Sequence, residues 1–385
     1  MVSERATRTT PFAAMDVLER ANRMDDVVHL EVGEPDFDTP PAVTEAAVAA
    51  LRAGETGYTS SKGKPELRAA ISDYYDRRYG VDVAPERIVV TSGSSPALLL
   101  AFSTLVDPGD EVVLTDPHYA CYPNFVRQTG GRISTVSLPA DEGFRPQVSA
   151  FERAVDSETE ALLLNSPANP TGAVLDGTTL EELVALADRA DATVISDEVY
   201  HGLTYDGEDH TVLEYTDDAF VLDGFSKRFA MTGWRLGWLV APPEYVGHVN
   251  RIAQNTLICA PNFVQSGGVA ALESGDDFLA DVRDTYRERR DFVVDAVEDW
   301  GMSLGYTPGG AYYLLVDVSH LPGDSFDAAD FFLEDAGVAM TPGPDFGANA
   351  ADSLRVSYAN SEAQLREASD RIQRALERVE LSAAD

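Results

Sequence analysis

Six short apolar runs constrain the fold more than any other feature of this chain: RIVVTS (87–92), EVVLTD (111–116), RISTVSL (132–138), EALLLNS (160–166), ATVISDE (192–198) and AFVLDGF (219–225). Helix-like stretches such as SPALLLAFSTLV and TLEELVALADRA separate most of them. Strands that stay apolar along their length, alternating with helices, are the pattern of a mostly parallel sheet buried on both faces. The fold class expected is therefore α/β, with a large domain whose mostly parallel, seven-stranded sheet is covered by helices. That domain is placed at residues 45–285. After it, DFLADVRDTYRERRDFVVDAVEDWG reads as one long helix, and GGAYYLLVDVS, VAMTPG and SLRVSYAN read as three strands. Near the start, VVHLEV (27–32) reads as a short strand, and AVTEAAVAALRAG as a helix ended by Gly54. Both termini, 1–44 and 286–385, are assigned to a smaller α+β domain.

In an open parallel sheet the ligand lies beyond the carboxyl ends of the strands, so the residues that follow each apolar run form a set. They are Ser92-Gly93-Ser94-Ser95, Asp116 to Tyr119, Asn165 to Asn169, Asp197 to Tyr200, and Ser226-Lys227. A glycine followed by small hydroxyl residues at a helix start suits a phosphate, although alone it is more often an ordinary cap. No GxGxxG follows a strand, which argues against a dinucleotide. Asp197 closes an apolar strand and needs a partner, for which a protonated ring nitrogen would serve. Taken alone, an N-cap is an equal reading of it.

Lysine usage isolates one more residue. The 29 basic residues include only Lys62, Lys64 and Lys227, which leaves 26 arginines. A desolvated lysine can lose its proton and act as a nucleophile, whereas arginine cannot. Lys227 stands in DGFSKRFAMTGWRLGW, eight residues before Arg235, whose forked guanidinium suits phosphate. Arg355, in SLRVSYAN, suits a carboxylate by the same geometry, although a lone arginine is more often part of a surface ion pair.

Phosphate cradle, ring-nitrogen acid, amine and carboxylate clamp together describe pyridoxal 5′-phosphate. With NSPANPTG (165–172), SDEVY (196–200) and SKRFAMTGWRLGW (226–238) in that order, the chain resembles the class I, aspartate aminotransferase-like enzymes of the fold type I pyridoxal-phosphate group. The resemblance runs from about residue 32 to 361. It implies that Lys227 binds the cofactor covalently and shuttles the proton between substrate Cα and cofactor C4′. It implies that Asp197 keeps the pyridine nitrogen protonated, that Tyr200 and Asn169 bond the ring oxygen, and that Tyr119 stacks on the ring. Ser94, Ser95, Ser226 and Arg235 are implied at the phosphate, with Tyr58 reaching the phosphate of a neighbouring subunit in a homodimer. Gly33, Tyr119, Asn169 and Arg355 are implied at the substrate, Arg355 on its α-carboxylate. Two departures stand out: Gly224 occupies a position that is serine in some branches, and the cradle reads Gly-Ser-Ser-Pro where relatives often carry lysine or glutamine.

The expected activity is ping-pong transfer of an amino group from an L-amino acid, aspartate by preference, to a 2-oxo acid such as 2-oxoglutarate. A carbon–sulfur β-lyase is the rival within the fold, and a pyridoxal-phosphate-binding regulator the rival outside it. The net charge of −36 argues against nucleic acid and anionic membranes and suggests a surface suited to concentrated salt. Cys121 and Cys259 are isolated, no metal-ligand spacing occurs, and the polar start MVSERATRTT has no apolar signal core. No apolar run is long enough to span a membrane, and the expected location is the cytoplasm.

Overall fold

The computed structural model describes residues 2–384, with side chains described through Arg378. Twelve strands appear in chain order. They are β1 (Val28–His29), β2 (Ile88–Thr91), β3 (Glu111–Asp116), β4 (Arg132–Ser137), β5 (Thr159–Asn165) and β6 (Thr193–Asp197), followed by β7 (Ala219–Gly224), β8 (Gly237–Val240), β9 (Tyr313–Asp317), β10 (Val338–Ala339), β11 (Thr341–Pro342) and β12 (Ser353–Ser357).

Seven of these form one sheet in the order β2-β8-β7-β6-β5-β3-β4. The pairs β3–β4, β3–β5, β5–β6 and β6–β7 are parallel, and β8 runs antiparallel to both of its neighbours. Alternate residues of each central strand enter opposite cores. Phe220 and Leu222 of β7, Leu163 of β5 and Ile195 of β6 pack on one face with the helix Ser94–Leu105. Val221, Leu162 and Val194 pack on the other, with Trp238 and the helices Pro65–Tyr79 and Gly177–Ala190. Both faces being covered, successive residues must all be apolar, and this is why the strands read as unbroken runs.

The sequence reading has no counterpart for β8. Its four residues are too short to show a period, and the first two, Gly237 and Trp238, close the stretch assigned to the lysine and arginine motif. Two other segments differ. Of the run 27–32 only Val28–His29 forms a ladder, parallel to β10, and VAMTPG splits at Met340 into β10 and β11.

The second core lies around the antiparallel sheet β11-β12-β9. Leu314, Val316, Leu354 and Val356 meet residues of the helices Asp276–Asp299, Ser325–Phe331 and Glu362–Ala384 there. The boundaries placed at 44/45 and 285/286 each fall within a helix. Val43 of the helix Pro41–Arg52 packs in the core of the large sheet, and Leu279 and Val282 of Asp276–Asp299 pack in the second core. Among the described residues no helix is long and apolar enough to cross a membrane.

Candidate active site

A cavity of about 260 Å³ opens at the carboxyl ends of β5, β6 and β7, where it meets residues of β9 and β12. Gly33, Ser94, Ser95, Tyr119, Asn169, Asp197, Tyr200, Ser226, Lys227, Arg235 and Arg355 all line it. Of the residues expected at the site, only Tyr58 does not. Its side chain is 84% exposed, which keeps it open to another molecule.

One part of the cavity is built for an anion. Gly93 has φ +95°, a conformation that costs glycine little, and the 12-residue helix that starts at Ser94 has no side chain capping its N-terminus. Its first backbone N–H groups and the positive end of the helix dipole therefore face a site able to take phosphate. A Cβ on Gly93 would lie 2.5 Å from the Arg235 guanidinium, so the glycine is what lets that cation approach the helix end. Arg235 donates to the Thr232 carbonyl at 2.9 Å, which fixes its fork. Ser226 lines the cavity, whereas Gly224 does not.

Asp197, at the end of β6, is buried and accepts a hydrogen bond from the Tyr122 hydroxyl at 2.7 Å and from the Val199 N–H at 3.3 Å. Burial pushes its carboxyl up to about 6, and the Tyr122 bond works against that rise. A buried carboxylate so held gains from a cationic partner in the cavity. Asn165 braces the strand end: its amide donates to the Asp197 carbonyl at 2.9 Å, and its side-chain oxygen accepts from the Asn169 N–H at 2.9 Å. Tyr119 crosses Tyr122 edge-on, with ring centroids 5.3 Å apart. The Tyr200 and Tyr313 hydroxyls lie 3.1 Å apart.

The half-buried Lys227 donates from Nζ to the Gly33 carbonyl at 2.9 Å, an oxygen that also accepts from the Tyr312 hydroxyl at 3.1 Å. Gly33 itself has no room for a side chain, since a Cβ would fall 1.5 Å from the Tyr313 hydroxyl oxygen.

Arg355 rises from β12 into a buried slot. It donates to the Glu31 carbonyl at 2.5 Å and to the Asn169 side-chain oxygen at 3.2 Å. Its guanidinium carbon lies 4.5 Å from the ring centre of Tyr313 and 4.8 Å from that of Phe346. Among the described residues its Nε has no hydrogen-bond partner. A buried guanidinium with an unmet donor and no carboxylate partner is suited to bind one from a ligand.

Tyr122 and Tyr313 were not singled out in the sequence. Tyr122 follows Tyr119 by three residues at the start of the helix Tyr122–Thr129, and that spacing is the signal that could have found it. Tyr313 stands first in β9 after Gly309-Gly310 and shows no separate mark.

A helix N-terminus with a cation, a buried carboxylate, an amine and a second, separate guanidinium fit a phosphorylated ring-bearing carbonyl cofactor, which is the class of enzyme that uses pyridoxal phosphate. The sequence profile described as aminotransferase class I and II matches residues 25–372. An aspartate/prephenate aminotransferase of Thermus thermophilus is 38% identical over 386 residues, covering 98% of this chain and 99% of the relative. A valine–pyruvate aminotransferase of Mycobacterium tuberculosis is 36% identical over 370 residues, covering 94% and 95%. The solved structure of the Thermus thermophilus aspartate aminotransferase with maleate superposes with a TM-score of 0.93 at 38% identity, over 97% of this chain and 99% of that one. The chain belongs to the class I and II aminotransferases. It is a transaminase, and its family implies pyridoxal phosphate as cofactor.

Proposed function

We propose that the chain moves the α-amino group of an L-amino acid to a 2-oxo acid by a ping-pong reaction, with L-aspartate and 2-oxoglutarate as the preferred pair. The observation that carries this reading is the placement in one cavity of the Lys227 amine, the buried Asp197 carboxyl and two guanidinium groups with different neighbours. Bound pyridoxal phosphate supplies a carbonyl that condenses with amines and a ring that withdraws electrons from the substrate Cα. The helix start at Ser94 and Ser95, with Ser226 and Arg235, would hold the phosphate. Asp197 would hold the proton on the ring nitrogen, Tyr119 would cover the ring, and Tyr200 and Asn169 would bond the ring oxygen. Arg355 binds the α-carboxylate beside the backbone of Gly33. Lys227 would hold the cofactor, and its amine, when free, would be the base placed to carry a proton between the substrate Cα and the cofactor C4′.

Aspartate is chosen because it is named in the Thermus thermophilus relative and structure, while the Mycobacterium tuberculosis name shows that related chains serve other donors. A panel of L-amino acids assayed with 2-oxoglutarate and with pyruvate should give aspartate the highest kcat/KM. A higher value for valine or an aromatic donor would move the assignment of substrate but not of reaction. Pyruvate and ammonia released from cystathionine faster than aspartate is transaminated would favour the carbon–sulfur lyase instead.

The same reading makes the protein a cytoplasmic homodimer in which Tyr58 reaches the partner's phosphate site, and an enzyme adapted to concentrated salt. The exposure of Tyr58 and the net charge of −36 support these points. Sedimentation and activity measured together over a salt series should show a dimer at high salt and a parallel loss of dimer and activity as salt is removed, because self-repulsion is then unscreened. An active monomer, or full activity without salt, would overturn this.

A further inference from the structure

The segment between β7 and β8, residues 225–236, carries Lys227, Thr232 and Arg235 yet has neither helix nor strand of its own. Catalytic groups on such a loop need something that fixes its backbone. Several backbone bonds contribute, among them Phe229 N–H to the Phe225 carbonyl and Met231 N–H to the Ser226 carbonyl, both 3.2 Å. The only charged anchor of the loop that is fully buried is Arg228, the residue directly after Lys227.

Arg228 donates to both carboxylate oxygens of Asp223 in β7 and to the Tyr74 hydroxyl of the helix Pro65–Tyr79. Its guanidinium carbon also lies 5.1 Å from the centre of the Tyr74 ring and 5.8 Å from that of Trp238 in β8. One side chain is therefore tied to both strands that flank the loop and to a helix against them. Stability does not explain this arrangement, because a buried ion pair is often no better than apolar residues of the same volume. Position does. Consecutive Cα atoms are ~3.8 Å apart, so a backbone fixed at Arg228 restricts where Lys227 begins. Among the described residues the lysine amine has a single hydrogen-bond partner, the Gly33 carbonyl.

We propose that Arg228, held by Asp223 and Tyr74, is a positioning residue for Lys227 that sets the direction from which the amine meets the reacting carbon. This rests on the reading of Lys227 as the lysine that binds the cofactor. The paired replacement Asp223→Leu with Arg228→Met removes both charges together and leaves neither partner buried alone. In the holoenzyme it should slow the single-turnover half-reaction with aspartate by roughly tenfold to hundredfold, the cost of a misplacement near 1 Å. KM should move far less than kcat, and the pH midpoint of the cofactor's visible absorption should shift, since that band reports on the lysine's attachment. Arg228→Lys keeps the charge but not the fork and should lie between the two.

A half-reaction rate and pH midpoint both unchanged in the paired variant, whether or not its melting temperature falls, would overturn the proposal. If the paired variant does not melt cooperatively, Arg228→Lys decides on the same two readouts. Failure of the underlying reading looks different: the parent protein would then show a visible cofactor band that survives Lys227→Ala.

Discussion

Lys227→Ala should lower transamination by at least about 10³-fold, because in the proposed reaction it removes both the cofactor's covalent attachment and the base that moves the proton, and positioned acid–base catalysis alone contributes roughly 10²- to 10⁴-fold. Lys227→Arg should be equally inactive. Arginine keeps a cation beside the Gly33 carbonyl but cannot shed a proton at any accessible pH. The comparison separates charge from proton transfer, and it is clean because little of the fold depends on this side chain. Lys227 is half-buried and makes one hydrogen bond, so circular dichroism and melting of the apoprotein should match the parent closely. Activity above about a tenth of the parent in either variant would remove Lys227 from the chemical step, since no acid–base role of the usual size could then be assigned to it.

The parts of this enzyme that were legible in the sequence share a physical cause. A strand buried on both faces has no freedom to carry polar residues, so β3, β5, β6 and β7 appear as unbroken apolar runs, and the polar residues at their ends stand out as a set. Lys227 was visible because this chain uses arginine almost everywhere else. The same habit hides Arg228. One arginine among 26 carries no mark, and its burial depends on Tyr74, which lies 154 positions away. Tyr122 was hidden for a related reason: its role comes from Asp197, 75 positions further on, and nothing local shows that its hydroxyl turns inward. The strand β8 escaped notice because four residues do not define a period and because its first two, Gly237 and Trp238, end a motif already given another meaning. Local pattern thus reveals which residues must be buried. It does not reveal which polar groups meet inside.

Asp197→Asn should cost about 10²- to 10³-fold in kcat, comparable to removing one preorganised electrostatic partner from a dry site. Its effect on pH dependence is the more specific test. In the folded protein without cofactor, burial raises this carboxyl from 3.8 to about 6. A carboxyl raised on folding holds its proton more tightly in the native than in the unfolded state. Stability therefore falls as pH rises from about 4 to about 6, and the loss persists above that range. A rise of about two units corresponds to roughly 3 kcal/mol. In the proposed arrangement a protonated ring nitrogen beside Asp197 would supply a closer counter-charge and offset that loss. The stabilisation given by cofactor, measured as the melting temperature of holoenzyme less that of apoenzyme, should accordingly increase between about pH 4 and pH 7. Glu198, which burial pushes up to about 8, does not line the cavity, so it titrates in both forms and cancels in the difference. Asp197→Asn cannot ionise, so this increase should be much smaller. Tyr122→Phe removes a bond that favours the ionised carboxylate and should move the rise to higher pH. An equal rise in the parent and in Asp197→Asn would mean that this carboxyl does not face the ring nitrogen, even if both variants proved slow.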